Sequence, residues 1–192
     1  MRHAGMESLA RALAGRGVAT FRYQFPYMEK GRRFPDPLPL RLETVGAAIA
    51  RAASLYPDLP LYAGGRSMGG RMSSTWVAEN PGSAVSGLVF FGFPLHPQGK
   101  PGTTRGEHLR EVDVPMLFLN GTRDKLAGLD LLQPLCEGLG DRARLHVVEG
   151  ADHGFHVLKR SGRNDDEVLA ELARETRHFI EATSPGAAGH WP

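Results

Sequence analysis

The sequence has a single cysteine, Cys136, among its 192 residues. That excludes an internal disulfide and any zinc site built from clustered thiolates, and it predicts a reducing, cytoplasmic setting. The sequence also lacks an apolar run long enough to cross a bilayer, and the opening MRHAGMESLA has no apolar core of the kind an export signal carries. A soluble, unexported chain without a membrane partner is the expectation. Charge of one sign is not in excess: 23 basic against 21 acidic residues leave a net charge of +2. The short basic clusters Arg32 with Arg33 and Arg142 with Arg144 have no aromatic ladder beside them, so they read as solvated surface and nucleic acid is not an expected partner. There is no internal repeat. Only the closing SPGAAGHWP has linker composition, which predicts one domain over residues 1–183 and a flexible tail over 184–192.

What is present alternates. Met6, Leu9, Ala10 and Leu13 recur at helical spacing, glycines at 15 and 17 stop that helix, and VATFRY (18–23) follows as an expected strand. The proline-rich stretch FPYMEKGRRFPDPLPL predicts a loop. A second helix is marked by Leu42, Val45, Ala48, Ile49 and Ala52. Short apolar runs at 61–63, 88–91, 116–120 and 145–148 predict further strands, and helices are expected over 70–79, 129–139 and 165–182. Near-continuous apolar strands alternating with helices suit an α/β fold with a parallel sheet of about five strands, covered on both faces.

One stretch carries chemistry. In LYAGGRSMGGRMSS (61–74) a serine stands between glycines, directly after a strand and directly before a helix. Gly-x-Ser-x-Gly alone is a weak signal. In the strand–turn–helix context it describes a nucleophile elbow, with Gly65 and Gly69 expected to relieve collisions around Ser67 and the Met68 amide placed to donate to an oxyanion. A serine hydroxyl needs a base to take its proton, and the base needs a carboxylate to orient it. MLFLNG runs into Asp124 and LHVVEG runs into His153, so all three groups fall at the carboxyl ends of successive strands. His146 and His156 are rival bases: the first lies within an apolar run, and the second belongs to a turn three residues on. Arg66 and Arg71 flank the elbow, and Tyr27, Met28 and His96 are candidates for a pocket border or for packing. No cofactor and no metal is called for by any of these residues.

FRYQFPYM, AGGRSMGGRMSS, VFFGFPLH, PMLFLNGTRD and VVEGADHGFHV together resemble the small α/β-hydrolases similar to dienelactone hydrolases, especially the predicted-hydrolase branch that includes testis-expressed and chromatin-complex hydrolase-like proteins. The resemblance covers nearly the whole chain and repeats the order Ser, Asp, His. It implies a serine hydrolase acting on a carboxylic ester or related acyl bond, with Ser67 as nucleophile, His153 as base, Asp124 as orienting carboxylate and Met68 as one oxyanion donor. Dienelactone hydrolases carry a cysteine in the elbow where this chain has Ser67, while Cys136 falls on an expected helix face as a core residue. The residues between Phe93 and Val114 show no amphipathic helix of the kind a lipase lid needs.

In that family the helix matching MESLARAL follows about three strands and a His-Gly-rich loop that supplies a second oxyanion amide. This chain starts too late for either, so an N-terminally shortened hydrolase fold is expected. The strand that would lie between VATFRY and LYAGG is absent, which predicts unpaired edges or a hydrophobic gap, closed by direct pairing or by a second copy of the chain. His3, Ala4 and Gly5 are candidates to imitate the absent loop. The rival expectation is a hydrolase-like binding or assembly module that turns over little or no substrate.

Overall fold

Two neighbouring strands, β2 (Val85–Phe91) and β3 (Met116–Gly121), organise the computed structural model, which describes residues 4–184 and 186. Almost every side chain on them is buried, so each strand must be covered on both faces. Leu88 and Phe90 with Met116 and Phe118 point to one face, where α3 (Leu38–Leu55), α4 (Met68–Glu79) and α5 (Leu129–Leu139) deliver Val45, Met72, Val77 and Leu132. Val89 and Phe91 with Leu117 and Leu119 point to the other, where α1 (Ala4–Ala14) and α6 (Asp165–Thr183) deliver Leu9, Leu13, Val168, Leu172 and Phe179. The period-2 alternation of the strands thus divides one sheet into two cores.

β1 (Leu61–Arg66) flanks β2, and β4 (Ala143–Val148) flanks β3. The order is β1-β2-β3-β4 and every pairing is parallel. All four strands therefore end on one edge of the sheet, and the loops leaving that edge build the site. The element between β2 and β3 is a 3₁₀ helix, Thr104–Glu111, packed on α4 with Leu109 buried. α6 starts from a capping box in which Asn164 and Glu167 each accept the other's backbone N–H. Pro26–Glu29 forms a single helical turn, α2, inside the stretch expected to be loop. No helix among the described residues is long and apolar enough to cross a membrane.

The sheet has four strands rather than about five, because the expected strand over 18–23 forms no ladder. Among the described residues no strand lies beside it to bond with. Between this segment and the free edge of β1 opens a cavity of about 720 Å³, lined by apolar side chains that include Leu9, Leu13, Val45, Ile49, Ala63 and Ile180. The expected hydrophobic gap is therefore present, and direct pairing among the described residues has not closed it. Strand propensity in VATFRY is outweighed by the lack of a partner edge. The last expected feature, the tail, falls outside the described residues except for Ser184 and Gly186.

Hydrogen exchange followed by mass spectrometry tests this account. The amides of 19–22, which find no backbone acceptor among the described residues, should exchange at close to the unprotected rate, while those of β2 and β3 exchange only on global unfolding. Equal protection of both segments would contradict the unpaired assignment.

Candidate active site

Where β1 ends and α4 begins, the chain reverses within one residue. Ser67 has φ 51° and ψ −117°, a left-handed conformation that costs a non-glycine residue energy. The turn is anchored from both sides: the Ser67 N–H donates to the Phe91 carbonyl at 3.2 Å, and the Ser67 carbonyl accepts from Arg71 N–H at 3.2 Å. For α4 to start this close above β1, side chains must be absent. A Cβ on Gly70 would stand 2.8 Å from the Gly65 carbonyl oxygen and 3.0 Å from the Phe90 ring, and Gly65 itself has φ +151°. The expected collision at Gly69 is not found, since a Cβ there meets nothing within 4 Å. The crowding falls one residue later, at Gly70, because that position of the first turn faces β1.

The Ser67 hydroxyl donates to His153 Nε2 at 2.9 Å. His153 Nδ1–H in turn donates to Asp124 Oδ2 at 2.7 Å. Asp124 follows β3 and is buried, and its other oxygen accepts from the Leu126 N–H at 2.8 Å. Its loop is tied by Asn120, whose Nδ2 donates to the Ala127 carbonyl at 3.0 Å. His153 sits in a tight excursion after β4, closed by an antiparallel bridge between Ala151 and Val157. Within it, Asp152 Oδ1 accepts from the amides of Gly154 and His156 at 2.8 and 3.0 Å. The His153 ring lies against Gly92 at the end of β2, where a Cβ would come within 3.3 Å of its Nδ1 and Cε1. The three expected site residues are thus brought together from three strand ends.

Met68 is the first residue of α4, so its N–H belongs to the first-turn amides that helix bonding leaves free beside Ser67. Ala4 and Gly5 do not imitate an oxyanion loop: both are in helix α1, which packs on α6, while His3 lies outside the described residues. The rival histidines are engaged elsewhere. His146 lies within β4 and pairs with Glu171 at 2.7 Å, and His156 pairs with Asp165 at 2.8 Å. His96 is buried with its Nδ1 2.9 Å from the Pro97 carbonyl. Tyr27 packs on the core beside Phe25, and Met28 is exposed. Arg32 is paired with the buried carboxylate of Asp36 rather than simply solvated, since an uncompensated carboxylate could not stay buried there.

Cys136 is buried on α5, where burial and then Glu137 push its thiol up to about 12, leaving it without thiolate at neutral pH. No group of three or more His, Cys, Asp or Glu side chains converges into a metal site among the described residues. Gly92, Asp152 and Asn120 were not singled out from sequence. Gly92 has a signal, a glycine ending the apolar run VFF, whereas Asp152 and Asn120 act through contacts that only the folded loops create. His108 was also missed: its Nε2 lies 2.8 Å from Ser74 Oγ on α4.

Two measurements follow from these contacts. Gly70→Ala should destabilise the fold by about 1–3 kcal/mol in urea unfolding, while Gly69→Ala should be neutral or slightly stabilising; the reverse ranking would reject the close approach at Gly70. His108 is held down to about 4, first by burial and then by the Arg71 charge. Its folded value lies below the unfolded value of about 6.5, so its contribution to stability is complete above that pH and is lost as pH falls toward 4. Thermal midpoints should drop over this window, and His108→Gln should flatten the drop.

A family model described as an alpha/beta hydrolase domain matches residues 1–181. Among solved structures, the chain is similar to an alpha-beta serine hydrolase homologue from Coxiella burnetii, with a TM-score of 0.70 and 20% identity over 91% of this chain and 77% of that one. It is similar to a dienelactone hydrolase from Anabaena variabilis, with a TM-score of 0.69 and 19% identity over 93% of this chain and 79% of the other. A Xanthomonas campestris protein described as an a/b serine hydrolase without lid matches at a TM-score of 0.69 and 18% identity, over 93% of this chain and 75% of its own. The shared element is the fold, which this chain carries in shortened form. With a parallel sheet covered on both faces, a serine elbow after β1 and a family match along nearly its whole length, the chain belongs to the alpha/beta hydrolase family, as a small member similar to the dienelactone hydrolases.

Proposed function

We propose that the chain is a serine hydrolase that cleaves a carboxylic ester or related acyl bond of a small-molecule substrate. The observation that carries this is the unbroken hydrogen-bond relay from Ser67 through His153 to Asp124, with contacts of 2.9 and 2.7 Å. In the reaction Ser67 Oγ attacks the acyl carbon while His153 Nε2 takes the hydroxyl proton. The carbonyl oxygen gains the negative charge and accepts from the Met68 N–H. His153 then passes the proton to the departing alcohol, leaving an acyl-serine. Water, deprotonated by the same imidazole, releases the acid and restores Ser67. Asp124 holds the Nδ1–H tautomer and stabilises the imidazolium that forms at each step. The setting we propose is cytoplasmic, consistent with a lone cysteine kept as a buried thiol.

The free edge of β1 and the gap beside it favour a second reading, in which the fold serves as a binding or assembly module, as a homodimer paired through that edge. One experiment separates the two. Exposure to a fluorophosphonate followed by intact-mass analysis should give one adduct on the native chain and none on Ser67→Ala. Asp124→Asn should slow ester turnover by about 10⁴. A chain that is folded by circular dichroism yet takes no adduct would reject the hydrolase reading in favour of the module.

A further inference from the structure

Three arginines gather beside the serine elbow without a carboxylate among them. Arg41 opens α3, Arg71 lies in the first turn of α4, and Arg105 lies in the 3₁₀ helix that packs on α4. No ion pair involves any of the three among the described residues, although other arginines of the chain find such partners.

Their placement follows from the packing. Ser74 and Thr75 both lie against His108 Nε2, at 2.8 and 3.4 Å, which fixes the face of α4 that meets the 3₁₀ helix. Arg71 is one α-turn before Ser74 and Thr75 on that face, and Arg105 is one 3₁₀ turn before His108, so the two project side by side. Arg41 arrives from α3, with its Nη1 3.5 Å from Met68 Sδ, next to Ser67. The Nε atoms of Arg41 and Arg71 are both buried without a hydrogen-bond partner. Burial, then the charges of Arg105 and Arg41, lower the pKa of Arg71.

Unpaired buried donors and crowded like charges are both unfavourable, and one incoming anion relieves both. Guanidinium groups recognise planar oxyanions through paired N–H donors. The direction of approach is set by the sheet order. His153 reaches Ser67 from the β4 side and must protonate the leaving alcohol, whereas the arginines stand on the α3 and α4 side of the elbow. Resting on the hydrolase reading of Ser67, we propose that Arg41, Arg71 and Arg105 form a subsite for an anionic group at the far end of the acyl chain, so that the preferred substrates are esters of carboxylate- or phosphate-bearing acids.

The test pairs monoethyl adipate with ethyl hexanoate, which differ by a terminal carboxylate. The native chain should hydrolyse the charged ester with a kcat/KM about tenfold or more above the neutral one. That ratio should fall towards one in both Arg71→Gln and Arg105→Gln, each verified as folded by its melting transition. A native ratio of one or less, or a ratio that neither substitution changes, overturns the subsite. Binding of the same two esters to Ser67→Ala is measured by calorimetry and does not depend on turnover. If the native chain cleaves neither ester, binding decides the subsite, and the hydrolase reading fails as well where the fluorophosphonate leaves no adduct. The subsite then stands only if Ser67→Ala binds monoethyl adipate about tenfold more tightly than ethyl hexanoate and Arg105→Gln in that background removes the difference. Inorganic phosphate and acetate, as competitors for the charged ester, distinguish a phosphate from a carboxylate as the preferred group.

Discussion

The strained turn at Ser67 is the constraint from which the rest of the site follows. A serine at φ 51° persists only where its surroundings over-determine it, and here they do: β1 is held in parallel register against β2, and α4 is held close above both by Gly65 and Gly70. The backbone bond from Ser67 to the Phe91 carbonyl joins the elbow to the centre of the sheet. Loosening either support would let the serine relax toward an ordinary helical or extended conformation, and its hydroxyl would leave the line to His153.

Parallel pairing does the remaining positioning. Because all four strands end on one edge, residues 57 and 86 positions away in sequence from Ser67, at Asp124 and His153, come within one relay. Each arrives on a loop stiffened by its own bonds: Asn120 and the Leu126 amide around Asp124, and the Asp152 carboxylate and the bridge from Ala151 to Val157 around His153. Gly92 then leaves room for the imidazole. The geometry is therefore pre-organised by backbone and short polar side chains, which have little rotamer freedom to lose.

The incomplete side of the sheet belongs to the same picture. β1, which carries the elbow, is paired on one edge only, and the apolar cavity on its other edge reaches Gly64 and Gly65 but not Ser67, Asp124 or His153. The elbow is consequently supported through β2 and α4. The arginines approach from the flank formed by α3, α4 and the 3₁₀ helix, leaving the relay on the opposite flank undisturbed.

Much of this was legible in the residues alone. Buried strands alternating with helices, a serine within glycines after the first paired strand, and Asp124 and His153 just beyond later strands are local patterns, because a parallel sheet turns strand ends into neighbours whatever the details between them. Where the expectations missed, the deciding contact was not local. The strand propensity of 18–23 could not say that no partner edge lies beside it, and the Gly-x-Ser-x-Gly spacing pointed to Gly69 although the backbone of β1 meets Gly70. Arg41, Arg71 and Arg105 lie on three separate elements with no shared motif, and only the packing of those elements brings their charges together. Sequence determined which elements form and which groups stand at their ends, since short-range periodicity and turn chemistry govern both. Tertiary structure decided which edges remain unpaired and which distant side chains share a space, since those depend on contacts that no local pattern encodes.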